Sequence, residues 1–561
     1  MPLQLLHASL SLALLSLMGT ALAQNSSLPI VDLGYQLQQA TLFNSTGGFY
    51  NFSNIRYAAP PTGKNRFDAP QPPAVNRSGV QQGLPDRICA QAAPAWLAIA
   101  AAYLPKYFGG QTNFNASSFN TRFNTSNLPA QDPRTTEDCL FLDVIVPEKI
   151  FNNAGKGHGA PVLVWIHGGG YSLGSKSDSG NPAGLIARSQ DNSKEGIVYV
   201  SLNYRLGAFG WLSGPSFQET GVANAALLDQ RLALEWVQNH IAKFGGDPKR
   251  VTVLGESAGG ASIMHQITAY GGLRGPAPFQ QAIIQSPGFL PMVSHQKQES
   301  TFQAYLTLLN VSSLEQARGL TFTQLQKANI IQIGQSSYGE FTYGPVVDGN
   351  FTPALPGELL LHGQYDHNLK VMVGHNAHEG LLFTNPFIQN KTALVGAVLS
   401  LLPTVAAWPL TMRYILETLY PPIFDGSQAS GYTDEITRAA ALLSDVVFAC
   451  NTFWLDEAFG NKTYGYYFAV PPALHGGDIP YTYYNGGGTS LMVLSTSVAI
   501  TLQEYITTFA ETGSPNGAGT PYFQVYGRNA TVQDLNITGI SQIVDPAANS
   551  RCDWWQKALY V

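Results

Sequence analysis

Ser257 is the side chain of this sequence best placed to act as a nucleophile. It stands in Gly255-Glu256-Ser257-Ala258-Gly259, a Gly-x-Ser-x-Gly pattern. The β-branched run from Val251 enters the pattern, and a helix-prone stretch from Ala261 to Tyr270 leaves it. A serine on such a strand-to-helix turn is held exposed, and glycines two residues to either side let backbone approach closely. The helix that follows points free N–H groups and its positive end at an anion forming on the serine. A chain with 56 glycines produces some five-residue matches by chance. The chemistry therefore also requires a base, an acid and oxyanion donors.

Donors are available upstream. Pro161 to Ile166 reads as a buried strand and runs directly into His167-Gly168-Gly169-Gly170. Alone this reads equally well as a flexible turn. Beside the serine pattern, the N–H groups of Gly169, Gly170 and Ala258 can surround an oxyanion. Eleven histidines are candidates for the base. His7 lies in the N-terminal apolar segment, His167 in the glycine loop, His240 in the helical pattern Leu227–Lys243, and His265 on the helix after the serine. His295, His362, His367, His375 and His378 remain possible. His475 stands out because it follows a strand-like run, Tyr464 to Val470, in the loop Pro471 to Asp478. For the acid, Glu379 follows the short strand Val371–Gly374, with Asp348 and Asp366 as competitors. A carboxylate in that position orients the imidazole and stabilises its protonated form.

These groups need a large scaffold to bring them together. The chain has 561 residues, 45% hydrophobic and 12% charged, which suits a globular protein with a sizeable core. No Pro/Ser linker, charge block or repeat divides it, so one α/β sheet with long insertions fits residues 24–561. A net charge of −6 argues against nucleic acid and anionic membrane as electrostatic partners. Residues 1–23 read as a signal peptide: an apolar core from Leu10 to Leu17 precedes Ala21-Leu22-Ala23, placing the mature start near Gln24. No later run has ~20 uninterrupted apolar residues, so no transmembrane segment is expected. Sequons at Asn25, Asn44, Asn51, Asn76, Asn115, Asn124, Asn310, Asn350, Asn390, Asn461, Asn529 and Asn536 agree with export, and those used must lie on the surface. Four cysteines permit two disulfides in any of three pairings, and their wide spacing disfavours zinc.

The motifs together resemble the type-B carboxylesterase/lipase family, which includes cholinesterases and fungal lipases. The likeness is carried by Tyr57-Ala58-Ala59-Pro60-Pro61 with Gly63 and Arg66-Phe67, by Glu137-Asp138-Cys139-Leu140, and by Asn203-Tyr204-Arg205 with Gly210 and Leu212. It continues from Asn224 through Asp229-Gln230, Trp236-Val237 and Phe244–Pro248 to Gly260. The resemblance implies an α/β-hydrolase fold, a large and mostly parallel central sheet flanked by helices. It implies Ser257 as nucleophile, Glu379 as acid through Gly374-x-Asn376-x-x-Glu379-Gly380, and His475 as base through His475-Gly476-Gly477-Asp478. It carries the oxyanion donors onto Gly169, Gly170 and Ala258. Glu256 matches the family outside the triad and is expected to point elsewhere from the elbow. Ser286 resembles a serine that supports the acid, although Pro287 stands where the family has a glycine. The resemblance also implies the pairs Cys89–Cys139 and Cys450–Cys552, the latter as in fungal members, and hence a fungal source.

The expectation is a secreted carboxylic ester hydrolase that works through an acyl-enzyme and needs no cofactor or metal. Its partner is a small-molecule or lipid ester. Residues 90–138 hold an apolar helix-prone segment, Trp96 to Leu104, ended by Pro105. It reads either as a mobile lipase lid or as a packed helix on the rim. The alternatives to an esterase are a lipase with a lid, an acyltransferase or synthase-like enzyme of a fungal biosynthetic pathway, and a non-catalytic cholinesterase-like binding protein. The last loses the serine in known relatives, whereas all three candidate residues are present here.

Overall fold

The computed structural model describes residues 28–119, 123–191, 194–487 and 491–560. The predicted signal peptide and Asn25 lie outside the described residues. The fold is organised by an eleven-stranded sheet: β1 (Leu42–Asn44), β2 (Phe49–Arg56), β3 (Phe141–Pro147), β4 (Ala160–Ile166), β5 (Val198–Leu202), β6 (Gly246–Glu256), β7 (Gln281–Gln285), β8 (Lys370–Asn376), β9 (Tyr464–Phe468), β10 (Thr531–Asn536) and β11 (Gly539–Val544). Its spatial order is β11-β10-β9-β8-β7-β6-β4-β5-β3-β2-β1. From β10 to β5 the strands run parallel, and the strands outside that run pair antiparallel.

Burial explains the strand composition. All seven residues of β4 and all five of β5 and β7 are buried, as expected of parallel strands covered on both faces. The chain goes from β4 to β5 on one side and returns to place β6 on the other. The connections leaving β4 and β6 therefore diverge, which opens a crevice at their carboxyl ends. In the register there, Gly255 lies opposite Ile166.

Helices cover the sheet. The ones that matter for the site are α1 (Trp96–Phe108), α2 (Ala225–His240), α3 (Ala258–Ile267), α4 (His295–Leu309), α5 (Lys391–Leu401), α6 (Glu435–Ser444) and α7 (Cys450–Ala458). The helical run Glu435–Ala458 is long and apolar enough to cross a membrane by composition, but 83% of its apolar window is buried in the fold. It is a core element.

Helix α1 continues through Pro105, where the sequence predicts its end. Pro105 and Ala101 both face solvent, so the carbonyl that loses its N–H partner four residues back is open to water. The buried face of α1 packs Trp96 on Tyr338, Phe341 and Phe383, and the Trp96 indole N–H donates to the Glu340 carbonyl at 2.6 Å.

Disulfides join Cys89 to Cys139 and Cys450 to Cys552, with Cα–Cα distances of 4.9 and 5.1 Å. The first closes the loop that contains α1. The second fastens the helix Ser550–Gln556 to α7. Among the sequons, Asn76, Asn115, Asn124, Asn310, Asn350, Asn390 and Asn529 are exposed, whereas Asn44, Asn51, Asn461 and Asn536 are half-buried. Asn51 sits on β2 with its side-chain oxygen buried.

Candidate active site

Ser257 sits between β6 and α3 with φ 57° and ψ −125°, a conformation that costs a non-glycine residue about 1–3 kcal/mol. Close packing around the turn holds it there. A Cβ on Gly259 would lie 2.0 Å from the Ile166 carbonyl oxygen, so only glycine lets α3 start this near β4. The Ser257 N–H donates to the Gln285 carbonyl, and the Gly288 N–H donates to the Ser257 carbonyl, both at 3.0 Å.

The structure brings the three candidate residues into one hydrogen-bonded line. His475 Nε2 lies 2.7 Å from Ser257 Oγ, and His475 Nδ1 lies 2.6 Å from Glu379 Oε2. The other Glu379 oxygen accepts from the Asn376 N–H and from Ser286 Oγ, both at 2.6 Å. Pro287 beside Ser286 therefore leaves that contact intact. Phe448 and Phe383 pack on the imidazole with ring centres 4.3 and 5.1 Å away.

Strand ends account for this convergence. Ser257 follows β6, Glu379 follows β8, and His475 lies in the loop after β9, all on the carboxyl edge of the sheet. The His378 N–H donates to the Ala473 carbonyl at 2.9 Å, which ties the acid's loop to the base's loop. The competing residues lie elsewhere. His375 is buried against Asp545 at 3.1 Å, and His295, His362, His367 and His378 are exposed. Asp348 accepts from Asn224 and from the N–H groups of Asn350 and Thr352. Asp366 accepts from the Ala277 N–H.

Glu256 requires a correction. It was expected to point away from the elbow, but its Oε1 lies 3.4 Å from His475 Nε2. Glu256 is the last residue of β6, and its carboxylate is buried beside the imidazole. Burial presses His475 toward its neutral form, yet the Glu256 and Glu379 carboxylates outweigh it and push the imidazole up to about 9. Burial is also the main reason the Glu256 carboxyl is pushed up to about 8, with His475 opposing and Asp478 and Glu379 adding. Burial works against Glu379 as well, but the His475 charge and the hydrogen bonds from His475, Asn376 and Ser286 hold it below the usual carboxylate range.

Gly169 and Gly170 have φ of 102° and 59°, and with Ala258 at the first turn of α3 their N–H groups make no hydrogen bond among the described residues. A cavity of about 400 Å³ opens over Ser257 and Gly170, within the usual range for small-molecule sites. Phe341 lines it beside Gly170, Phe383 and Phe448 line it where they pack on His475, and α5 borders it with its exposed Gly396 and Ser400. These wall residues carry no motif; their sequence sign was only that 337–344 and 383–401 are rich in aromatic and small residues.

Comparison with known proteins gives the family. The family model described as "Carboxylesterase family" matches residues 38–555. The chain is 42% identical to a protein named carboxylesterase patB from Penicillium expansum, covering 95% of this chain and 97% of that one. It is 32% identical to a secreted lipase of Arthroderma benhamiae, over 78% of this chain and 86% of the relative. Among solved structures, Aspergillus niger EstA superposes with a TM-score of 0.75 at 24% identity, covering 94% and 98% of the two chains, and a PNB esterase gives 0.71 at 26%, covering 94% and 100%. The two disulfides and the secreted relative are compatible with an extracellular location. With a strand-ordered α/β-hydrolase sheet, a serine elbow and relatives named as esterases and lipases over nearly its full length, the chain belongs to the carboxylesterase family.

Proposed function

We propose that Ser257, His475 and Glu379 carry ester hydrolysis through a covalent acyl-enzyme. The observation behind this reading is the unbroken line from Ser257 Oγ through both imidazole nitrogens to Glu379, beside three unspent N–H donors. His475 Nε2 takes the hydroxyl proton as Ser257 Oγ attacks the ester carbonyl. The N–H groups of Gly169, Gly170 and Ala258 receive the oxyanion, a critical donor of this kind contributing about 3–4 kcal/mol. The protonated imidazole then gives its proton to the leaving alcohol oxygen as the C–O bond breaks. A water molecule repeats the sequence and releases the acid. Glu379 holds the proton-bearing Nδ1 edge of His475 toward itself throughout.

Ser257→Ala in the full chain is the direct test. Turnover of 4-nitrophenyl acetate should fall by at least a thousandfold with the thermal midpoint held, and retention of most of the activity would overturn the assignment. Products analysed with and without an added alcohol separate hydrolysis from acyl transfer.

A further inference from the structure

Away from the site, the two margins of the large sheet end differently. β1, at one margin, has three residues, Leu42–Asn44. β11, at the other, has six, Gly539–Val544, and its only strand neighbour is β10. The Asp545 N–H donates to the Ala530 carbonyl at 2.7 Å, one step beyond the pairing of Val544 with Thr531. In an antiparallel strand the amides of alternate residues face the same side. Those of Gly539, Ser541 and Ile543 therefore face β10, and those of Ile540, Gln542 and Val544 face outward. The outward amides make no backbone hydrogen bond among the described residues.

Proteins guard a sheet edge with a very short strand, a charge, a proline, a bulge or a covering element. β1 is guarded by its brevity, and β11 has none of these devices. Gly539-Ile540-Ser541-Gln542-Ile543-Val544 contains no charged residue and no proline. Its register with β10 is unbroken, and Ser541, Gln542 and Val544 are exposed. An apolar border continues past the strand. Val544, Ile537 and Tyr522 are 67%, 45% and 67% exposed, and Gln542 Nε2 donates to the Tyr522 carbonyl at 3.2 Å.

We propose that β11 docks on β11 of a second copy of this chain, antiparallel about a two-fold axis at Gln542. The strand is its own complement in that register. Gln542 meets its own counterpart and Ile540 meets Val544, so the N–H and C=O of each outward residue gain partners and no like charges meet. The sequon at Asn536 stands on β10, and strand side chains project from the faces of a sheet, so a glycan there leaves the pairing line open.

Sedimentation velocity of the full-length protein over a concentration series tests this, and should show a monomer–dimer equilibrium. Gln542→Pro removes the central outward N–H and spares the ladder to β10, whereas Val544→Lys puts a charge on the edge. Each should raise the dimer dissociation constant at least tenfold while far-ultraviolet circular dichroism and turnover of 4-nitrophenyl acetate hold. Val544→Lys, at an exposed position, carries the test if the proline variant does not fold. Gln542→Ala keeps the backbone N–H and should leave the constant within about twofold of wild type. A wild type that stays monomeric at every concentration, or a dimer that neither Gln542→Pro nor Val544→Lys weakens, would overturn the proposal. A tenfold loss in Gln542→Ala would assign the contact to the side chain and overturn strand pairing.

Discussion

Two carboxylates approach one imidazole in this site, Glu379 at Nδ1 and Glu256 near Nε2. Both favour the protonated ring, whereas accepting the Ser257 proton requires the neutral one. The two carboxylates keep the imidazole protonated to higher pH, so kcat/KM should climb with pH into the alkaline range, toward the imidazole value of about 9. Glu256→Gln removes one negative charge, which lowers the imidazole affinity for a proton. The rising limb should therefore move to lower pH by about one unit. A pH profile of kcat/KM for both enzymes checks this, and an unmoved limb would contradict it. Ser257 was legible from five residues because the elbow needs glycine at fixed offsets. His475 and Glu379 lie on distant loops, so spacing alone left other histidines and acids open, and the family motifs ranked them. The approach of Glu256 to His475 was not legible at all, because it joins the end of β6 to a loop far along the chain and no motif marks it.

Helix α1 poses the same question at the level of an element. Its apolar composition suits both a lid and a buttress, and we propose the buttress because Trp96 is buried against the rings that line the cavity. Trp96→Ala should cost about 3–5 kcal/mol of stability in denaturant unfolding. A loss near zero, with a rise in rate at an emulsified long-chain ester, would make α1 a lid after all. Strands β4, β8 and β9 were readable as apolar runs with bounds close to those observed, whereas β6 begins at Gly246, well ahead of the apolar run from Val251. The end of α1 was misplaced because a proline on the solvent face of a last turn is tolerated.

Across the molecule, the parallel core with antiparallel margins matches the mostly parallel sheet that the family resemblance implies. Far from the cavity wall, Asp456 on α7 is buried with the Thr463 hydroxyl as donor and one oxygen unpartnered. Burial above all, with Asp545 and Glu457 adding, raises its carboxyl well above the ordinary 3.8. A carboxyl whose folded value is raised contributes its stability below the unfolded value, and that stability is lost as pH rises above it. Asp456→Asn should therefore raise the thermal midpoint relative to wild type by a margin that grows from pH 4 to pH 8, which a melting series at fixed ionic strength measures. A margin independent of pH would show that the carboxyl is ionised in the fold.

The proposed reacting groups stand on strand ends at the centre of the sheet, whereas the cavity walls come from loops and helices outside it. The two can diverge at different rates over evolutionary time. Substitutions in those walls would change which esters fit and leave the strand ends as inherited. Chains that share the whole serine, acid and histidine signature should then have no common substrate preference, so the signature would identify the reaction and the walls would have to be read for the diet.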